Sequence, residues 1–199
     1  MRLINTHTLE LEEFYGTEIP KYAILSHTWL LGREEVTFQE WLGRETQTSV
    51  WAKSGYTKIL AACRVVRQDS LDWLWVDTNC IDKTSSAELT EAMNSMYEWY
   101  RESVICHACL SNVSTPRGPE GEQGCWEQFS RSRWWTRGRR APWFVFFTQE
   151  WDMSWNRESI ASKIEQISGI SQKYLNGQRP PHTTCGSEIA ASANLEPLA

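Results

Sequence analysis

Hydrophobic and polar residues divide the chain into two kinds of segment. Short, continuously apolar runs at residues 22–26, 71–77, 104–110 and 143–147 are typical of strands that are covered on both faces. Residues 54–68, 85–101 and 160–167 instead repeat their apolar side chains at helical spacing. Strands that alternate with helices predict a parallel sheet flanked by helices, and therefore one α/β domain.

Smaller elements are predicted around this framework. Residues 2–5 predict a strand, residues 10–14 a helical turn, and residues 37–42 and 126–131 short helices. The segment 114–124 is rich in proline, glycine and glutamate and predicts a loop. The last residues contain Pro-Pro and show no sustained period, so we expect a domain over residues 1–175 and a disordered tail over residues 176–199.

Two helices carry recognisable start signals. Ser54 predicts the N-cap of the helix over residues 54–68. Ser85 and Glu88 have the spacing of a capping box, in which Glu88 would reach back to the amide of Ser85. The helix that Ser85 begins predicts one apolar face, formed by Leu89, Met93, Met96, Tyr97 and Tyr100.

Charge and hydropathy exclude several classes of protein. The net charge of −5 over 199 residues argues against a nucleic-acid-binding protein. The local basic stretch over residues 131–140 is better explained as a solvated edge beside aromatic residues. The chain has no apolar signal segment after Met1 and no run that approaches the ~20 apolar residues of a membrane span. We therefore expect a soluble, cytoplasmic protein.

The chain contains six cysteines, and without a secretory signal we expect them to be reduced thiols. Cys106, His107 and Cys109 have a zinc-like spacing. A structural zinc site usually requires a second ligand pair at similar spacing, which the sequence lacks. The same residues are also typical of a buried strand, so we expect no metal site.

Polar residues follow two of the predicted strands. Ser26, His27 and Trp29 come at the end of the first buried strand, and Asp77 and Asn79 at the end of the second. In open parallel sheets, ligands bind outside the carboxyl ends of the strands. The convergence of two polar clusters on this edge predicts a ligand pocket.

Each of these side chains also has a purely structural explanation. His27 is either a general acid or base or a packed histidine bonded to a backbone carbonyl. Asp77 would accept hydrogen bonds from a ribose or cap the following turn, and Trp29 would stack on a base or close the core. No glycine-rich phosphate loop and no nucleophile elbow is present in the sequence.

Four ordered segments resemble the heterokaryon-incompatibility (HET) domain family of filamentous fungi. The start of the chain at residues 1–6 is typical of the family. The first signature is Tyr-Ala-Ile-Leu-Ser-His-Thr-Trp at residues 22–29, and the second covers residues 73–83 and continues to residue 96. The third begins as Ser-Arg-Trp-Trp-Thr-Arg-Gly at residues 132–138. The resemblance extends over roughly residues 1–170.

The resemblance implies a fold and a pathway. The family triggers programmed cell death, a form of innate immunity, when genetically different hyphae fuse. Its fold is similar to the TIR domain, a flavodoxin-like three-layer arrangement that agrees with the predicted sheet. Many TIR domains cleave NAD with a glutamate, so NAD is a possible substrate here, and no resident cofactor is expected.

The third signature departs from the family pattern. Family members continue after Arg-Gly with Trp-Thr-Leu-Gln-Glu-Leu before Ala-Pro, and that glutamate is the counterpart of the TIR one. Here Gly138 is followed by Arg139 and Arg140 and then by Ala141 and Pro142, so the glutamate is absent. An internal deletion is the simplest explanation, and it leaves the family's catalytic carboxylate without a counterpart.

These observations lead to two functional hypotheses. The first is a vegetative-incompatibility module that acts by self-association or with protein partners and without catalysis. The alternative is an NAD-cleaving, TIR-like hydrolase whose pocket lies at the carboxyl ends of the strands. No catalytic residue is assigned; the ligand-binding candidates for an NAD-like nucleotide are Ser26, His27, Trp29, Asp77, Asn79 and Arg133.

Overall fold

The computed structural model describes residues 1–117, 121–132, 134, 144–152, 154–156 and 159–168, which belong to two compact units, Met1–Ser154 and Trp155–Ala199. The strands are β1 (Arg2–Asn5), β2 (Leu11–Glu13), β3 (Ala23–His27), β4 (Trp73–Val76), β5 (Ile105–Cys109), β6 (Phe144–Phe147) and β7 (Ser154–Asn156). The helices are α1 (Phe38–Leu42), α2 (Ser54–Gln68), α3 (Ser86–Glu102), α4 (Gly121–Ser130) and α5 (Ala161–Ser168). Each described helix is too short or too polar to cross a membrane.

The first unit is built on a mixed, mostly parallel sheet with the strand order β2-β1-β4-β3-β5-β6. β3 runs parallel to both of its neighbours, β4 and β5, and β5 runs parallel to β6. β1 is antiparallel to β4 and to β2, so the parallel core has an antiparallel edge. The predicted α/β class is confirmed, and the antiparallel edge is an addition to it.

The predicted helical turn at residues 10–14 is wrong, because Leu11–Glu13 forms the edge strand β2. The reason lies in the preceding turn. The Asn5 side chain accepts hydrogen bonds from the amides of His7 and Thr8 at 3.0 and 3.1 Å, and Leu9 adopts a φ of 65°. These contacts reverse the chain and pair β2 with β1. The loop predicted over residues 114–124 is also too long, because α4 begins at Gly121.

Helices cover both faces of the sheet. On one face, the indole of Trp75 in β4 lies 5.5 Å from that of Trp99 in α3. His107 in β5 lies one residue beyond the position that is in register with Trp75. Its side chain therefore points to the other face of the sheet. There its Nε2 lies 2.7 Å from Oδ2 of Asp69, which directly follows α2. The arrangement is the three-layer α/β fold expected from the sequence.

A close approach at Gly55 joins the start of α2 to the loop before α1. The Gly55 amide donates to the Glu34 carbonyl at 2.9 Å, and a Cβ atom at Gly55 would lie only 2.6 Å from that oxygen. The Glu34 carboxylate accepts from the amide and hydroxyl of Ser54 at 3.0 and 2.8 Å. Ser54 is therefore the first residue of α2 rather than its N-cap, and the contact holds Glu35 beside the helix.

The predicted capping box at the start of α3 is only half formed. The Ser85 hydroxyl accepts from the Glu88 amide at 3.3 Å, as expected. The Glu88 carboxylate does not return to Ser85. It accepts two hydrogen bonds from the Arg2 guanidinium at 2.6 and 2.7 Å and one from the Asp82 amide at 2.7 Å. Glu88 thus connects β1, the loop after β4 and α3, and its pKa is lowered first of all by the hydrogen bond from Arg2.

We predict that Glu88→Gln lowers the free energy of unfolding by about 1 kcal/mol, because a bidentate ion pair with limited exposure is replaced by weaker hydrogen bonds. Urea unfolding at neutral pH measures the loss. The matched control is Glu91→Gln, a change of the same kind at an exposed position of the same helix. Equal stability of the two variants would contradict a connecting role for Glu88.

Candidate functional site

His27 lies at the carboxyl end of β3 and is almost completely buried. Its Nε2 is 3.0 Å from Oδ1 of Asp77, which directly follows β4. Its Nδ1 is 2.7 Å from Nζ of Lys58 on α2. The two strand ends therefore meet at His27, as the sequence predicts for this edge of the sheet.

The hydrogen-bond network assigns the tautomer of His27. The Lys58 ammonium group has only donors, so Nδ1 must be the acceptor in this contact. The ring proton is then on Nε2, where it is donated to Asp77. Both ring nitrogens of His27 are thus engaged by protein groups, one as acceptor and one as donor.

Glu35 completes the buried part of the cluster. Its Oε1 accepts from Lys58 Nζ at 2.5 Å and from the Leu30 amide at 2.7 Å. The side chains of Lys58 and Glu35 are only 7% and 12% exposed, so the ion pair lies largely away from water. The Glu35 Oε2 atom is buried and has no hydrogen-bond partner among the residues that the structure describes.

Asp77 forms the outer end of the cluster. Its Oδ1 faces His27, and its Oδ2 accepts from Trp29 Nε1 at 2.9 Å and lies 3.6 Å from Lys83 Nζ. Burial alone would raise the pKa of Asp77. The hydrogen bond from His27, the charge of Lys83 and the hydrogen bond from Trp29 together hold that pKa well below its usual range. Asp77 is therefore a carboxylate whose negative charge is compensated within the site.

Trp29 stands where the cluster meets solvent, and its side chain is 39% exposed. Lys83 Nζ lies 3.5 Å from the centroid of its ring, in cation–π geometry. The indole therefore makes two contacts with the site, one through its N–H and one through its face. The cluster is built from His27, Glu35, Lys58 and Asp77 inside and Trp29 and Lys83 at the rim.

Three of the predicted site residues, His27, Trp29 and Asp77, are brought together, and the others have different surroundings. Ser26 points to the opposite face of the sheet, where its hydroxyl accepts from Trp134 Nε1 at 2.9 Å. Asn79 is fully buried and donates to the Val36 carbonyl at 2.9 Å, so it supports the loop that carries Glu35. Arg133 lies outside the described residues.

The cysteines near the site are buried within the fold. Cys106 and Cys109 belong to β5, as the strand interpretation of this segment expects. Burial raises the pKa of Cys80 and of Cys109 to about 12, so both are neutral thiols at physiological pH. In the part of the chain that the structure describes, no group of three or more His, Cys, Asp or Glu residues has a metal-binding arrangement.

Sequence reasoning missed three residues of the cluster: Glu35, Lys58 and Lys83. Lys58 had a detectable signal, because it falls on the buried stripe of α2 with Ile59 and Ala62, where a lysine requires a partner. Glu35 lies in an irregular loop, and nothing in its local sequence marks it. A cavity along α2 is lined by Lys58 of the cluster and by Leu30.

Comparison with known proteins shows which family the chain resembles. Residues 22–165 match the family described as Heterokaryon incompatibility protein (HET). Over 168 residues the chain is 38% identical to the Vegetative incompatibility protein HET-E-1 of Podospora anserina, a match that covers 80% of this chain and 12% of that protein. The chain thus spans a small part of the length of this relative. No solved structure matches the chain.

We predict that Lys58→Met lowers the free energy of unfolding by about 3 kcal/mol, because it leaves the Glu35 carboxylate buried without a counter-charge. Combining it with Glu35→Gln removes that charge and should recover at least about 1 kcal/mol. Urea unfolding of the single and double variants measures the coupling free energy between Lys58 and Glu35.

Lys53→Met provides the matched control for this cycle. Lys53 pairs with Glu40 at 2.6 Å and also donates to the Glu35 backbone carbonyl at 3.0 Å, but the side chains of Lys53 and Glu40 are more exposed, so its loss leaves no buried charge. We expect this substitution to cost only about 1 kcal/mol. If Lys58→Met were as mild as Lys53→Met, or if Glu35→Gln gave no recovery, the charge balance assigned to the cluster would be wrong.

Proposed function

Because the chain belongs to the HET family, with a role in heterokaryon incompatibility, we propose that it is a cytoplasmic signalling module of fungal cell death that acts by self-association and without catalysis. Self-association without catalysis is the mechanism that we add here to the family's role in heterokaryon incompatibility. It concerns this chain alone, since the HET-E-1 relative is much longer.

The observation that carries this proposal is that both ring nitrogens of His27 and both carboxylate oxygens of Asp77 are engaged within the cluster. A general base must offer a lone pair to its substrate, and a general acid must offer a proton. The Nδ1 lone pair of His27 is occupied by Lys58, and its Nε2 proton by Asp77. Both oxygens of Asp77 are engaged as well. With His27 and Asp77 engaged in this way, the cluster stabilises the strand ends and the loop at Glu35, and neither of these two residues is ready for proton transfer.

The sequence after Gly138 supports the same conclusion. The family pattern supplies a glutamate there, and this chain continues with Arg139 and Arg140 instead. A carboxylate at that position would contribute to ribose contact or to stabilisation of transition-state charge. A module that retains the fold signatures but lacks this group suits signalling through assembly better than turnover.

NAD cleavage by a TIR-like pocket is the second candidate, and two observations favour it. Trp29 offers a partly exposed aromatic ring at the rim, which suits stacking against a planar base. Glu35 keeps one buried carboxylate oxygen unpaired among the described residues, and its other oxygen contacts Lys58, which lines the cavity along α2. An NAD-like nucleotide would be bound as substrate at the carboxyl ends of β3 and β4.

An NAD turnover assay separates the two candidates. We predict that the purified chain releases no nicotinamide from NAD above the buffer rate, because the protonatable atoms of His27 and Asp77 are engaged within the cluster and the family's glutamate after Gly138 is absent. The assay includes a second version with Trp-Thr-Leu-Gln-Glu-Leu restored between Gly138 and Ala141. Activity that appears only after restoration would exclude catalysis by the chain as it stands.

Cleavage by the unmodified chain would contradict the proposal if it depended on the cluster. The decisive pattern is activity that His27→Ala or Asp77→Ala abolishes and that Glu91→Ala, on the exposed side of α3, preserves. Equal activity of the unmodified and restored chains would establish the hydrolase alternative.

A further inference from the structure

The cavity along α2 has a volume of about 1020 Å³ and is lined by residues of one compact unit, Met1–Ser154. Sites for small organic molecules have volumes of about 300–1000 Å³ and combine apolar walls with a few polar groups. Thr57, Ala61 and Arg64 of α2 lie along it on one helical stripe. The size of the cavity therefore suits a small organic ligand, and its lining determines the chemical class of that ligand.

Some charged side chains of the lining are already engaged by protein groups. The Lys58 ammonium group is paired with the Glu35 carboxylate. The ring of His7 lies 3.0 Å from the carboxylate of Asp72. The Glu150 carboxylate accepts hydrogen bonds from polar groups near it but has no cationic partner among the described residues. Glu150 therefore leaves one negative charge in the lining without a counter-charge.

Two arginines of the lining have no carboxylate partner in the part of the chain that the structure describes. Arg64 and Arg67 are three residues apart on α2, so they are neighbours on the surface of the helix. Arg67 donates to the Thr6 carbonyl, and Arg64 makes neither a hydrogen bond nor an ion pair with a described residue. Guanidinium groups bind carboxylates through two parallel hydrogen bonds. The two arginines can therefore receive an anionic group of a ligand.

Apolar side chains form much of the remaining lining, including Leu9, Leu30, Leu60 and Trp151. Trp151 has a φ of 61°, a region in which a bulky side chain is strained and glycine is not. Strained residues of this kind are frequent at ligand sites. What the tryptophan provides at this position, and a glycine would not, is an indole in the cavity lining, where it stacks on Phe147 at 5.1 Å.

We propose that this cavity binds a small amphipathic carboxylate, with its apolar body against the apolar lining and its carboxylate at Arg64 and Arg67. Two uncompensated arginines and one uncompensated glutamate leave a single positive charge, which one carboxylate balances and a phosphate dianion would exceed. An inorganic anion would leave the apolar lining in contact with water. Binding here requires neither NAD cleavage nor self-association, so it goes beyond the function proposed above.

Titration of the full chain with octanoate tests the proposal. We expect a dissociation constant below about 1 mM by calorimetry, and binding of the uncharged analogue octanol that is at least about tenfold weaker. Arg64→Met should weaken octanoate binding about tenfold, because it removes a charged hydrogen-bond donor from an exposed position of α2 without disturbing the core. The matched control is Arg101→Met on α3, which removes the same charge outside the cavity lining and should bind octanoate like the unmodified chain.

The NMR signals of the indole N–H groups locate the ligand. The Trp151 signal, assigned with Trp151→Phe, should shift during the titration, and the Trp99 signal of α3 should not. Octanoate that does not bind at about 1 mM, equal binding to the Arg64→Met variant, or a shift at Trp99 without one at Trp151 would each overturn the proposal. A chain that bound octanoate in this way but stayed monomeric in sedimentation velocity would contradict the proposed function and leave this site in place.

Discussion

The contact between Lys58 and His27 is the interaction on which the strand-end site depends. Nζ of a buried lysine lies 2.7 Å from Nδ1 of a buried histidine. Such a cation is tolerated away from water only with a counter-charge, and Glu35 supplies it at 2.5 Å. The same contact directs the His27 proton toward Asp77, and Asp77 in turn holds Trp29 and Lys83 at the rim. One buried positive charge thus organises residues from three separate parts of the chain.

The backbone around the site is arranged to make this contact possible. β3 and β4 are parallel neighbours, so His27 and Asp77 reach the same edge of the sheet. Gly55 lets the loop that carries Glu35 lie directly on the start of α2. Asn79, which the sequence suggested as a ligand-binding residue, supports the same loop through the Val36 carbonyl. Asn79 therefore helps to position the buried charge network.

The sequence predicts the framework better than the site because the two depend on different kinds of information. Apolar runs and helical periods are local, so β3, β4, α2 and α3 follow from them to within one or two residues. The edge strand β2 was missed because it is short and acidic, and a turn stabilised by Asn5 determines its path. The pairing of Glu35 with Lys58 joins a loop to a helix 23 positions away. No periodicity encodes such a contact, although a lysine on a buried stripe indicates that a partner exists.

The protonation site of His27 is the most direct test of this account. Long-range ¹H–¹⁵N correlation spectra of the imidazole rings distinguish the two tautomers, and His27→Gln assigns the signal. The contact between Lys58 and His27 predicts a proton on Nε2 and a bare Nδ1 at neutral pH, with the Nδ1 environment altered in Lys58→Met. A proton on Nδ1 in the unmodified chain would contradict it, because Nδ1 would then be unable to accept from Lys58.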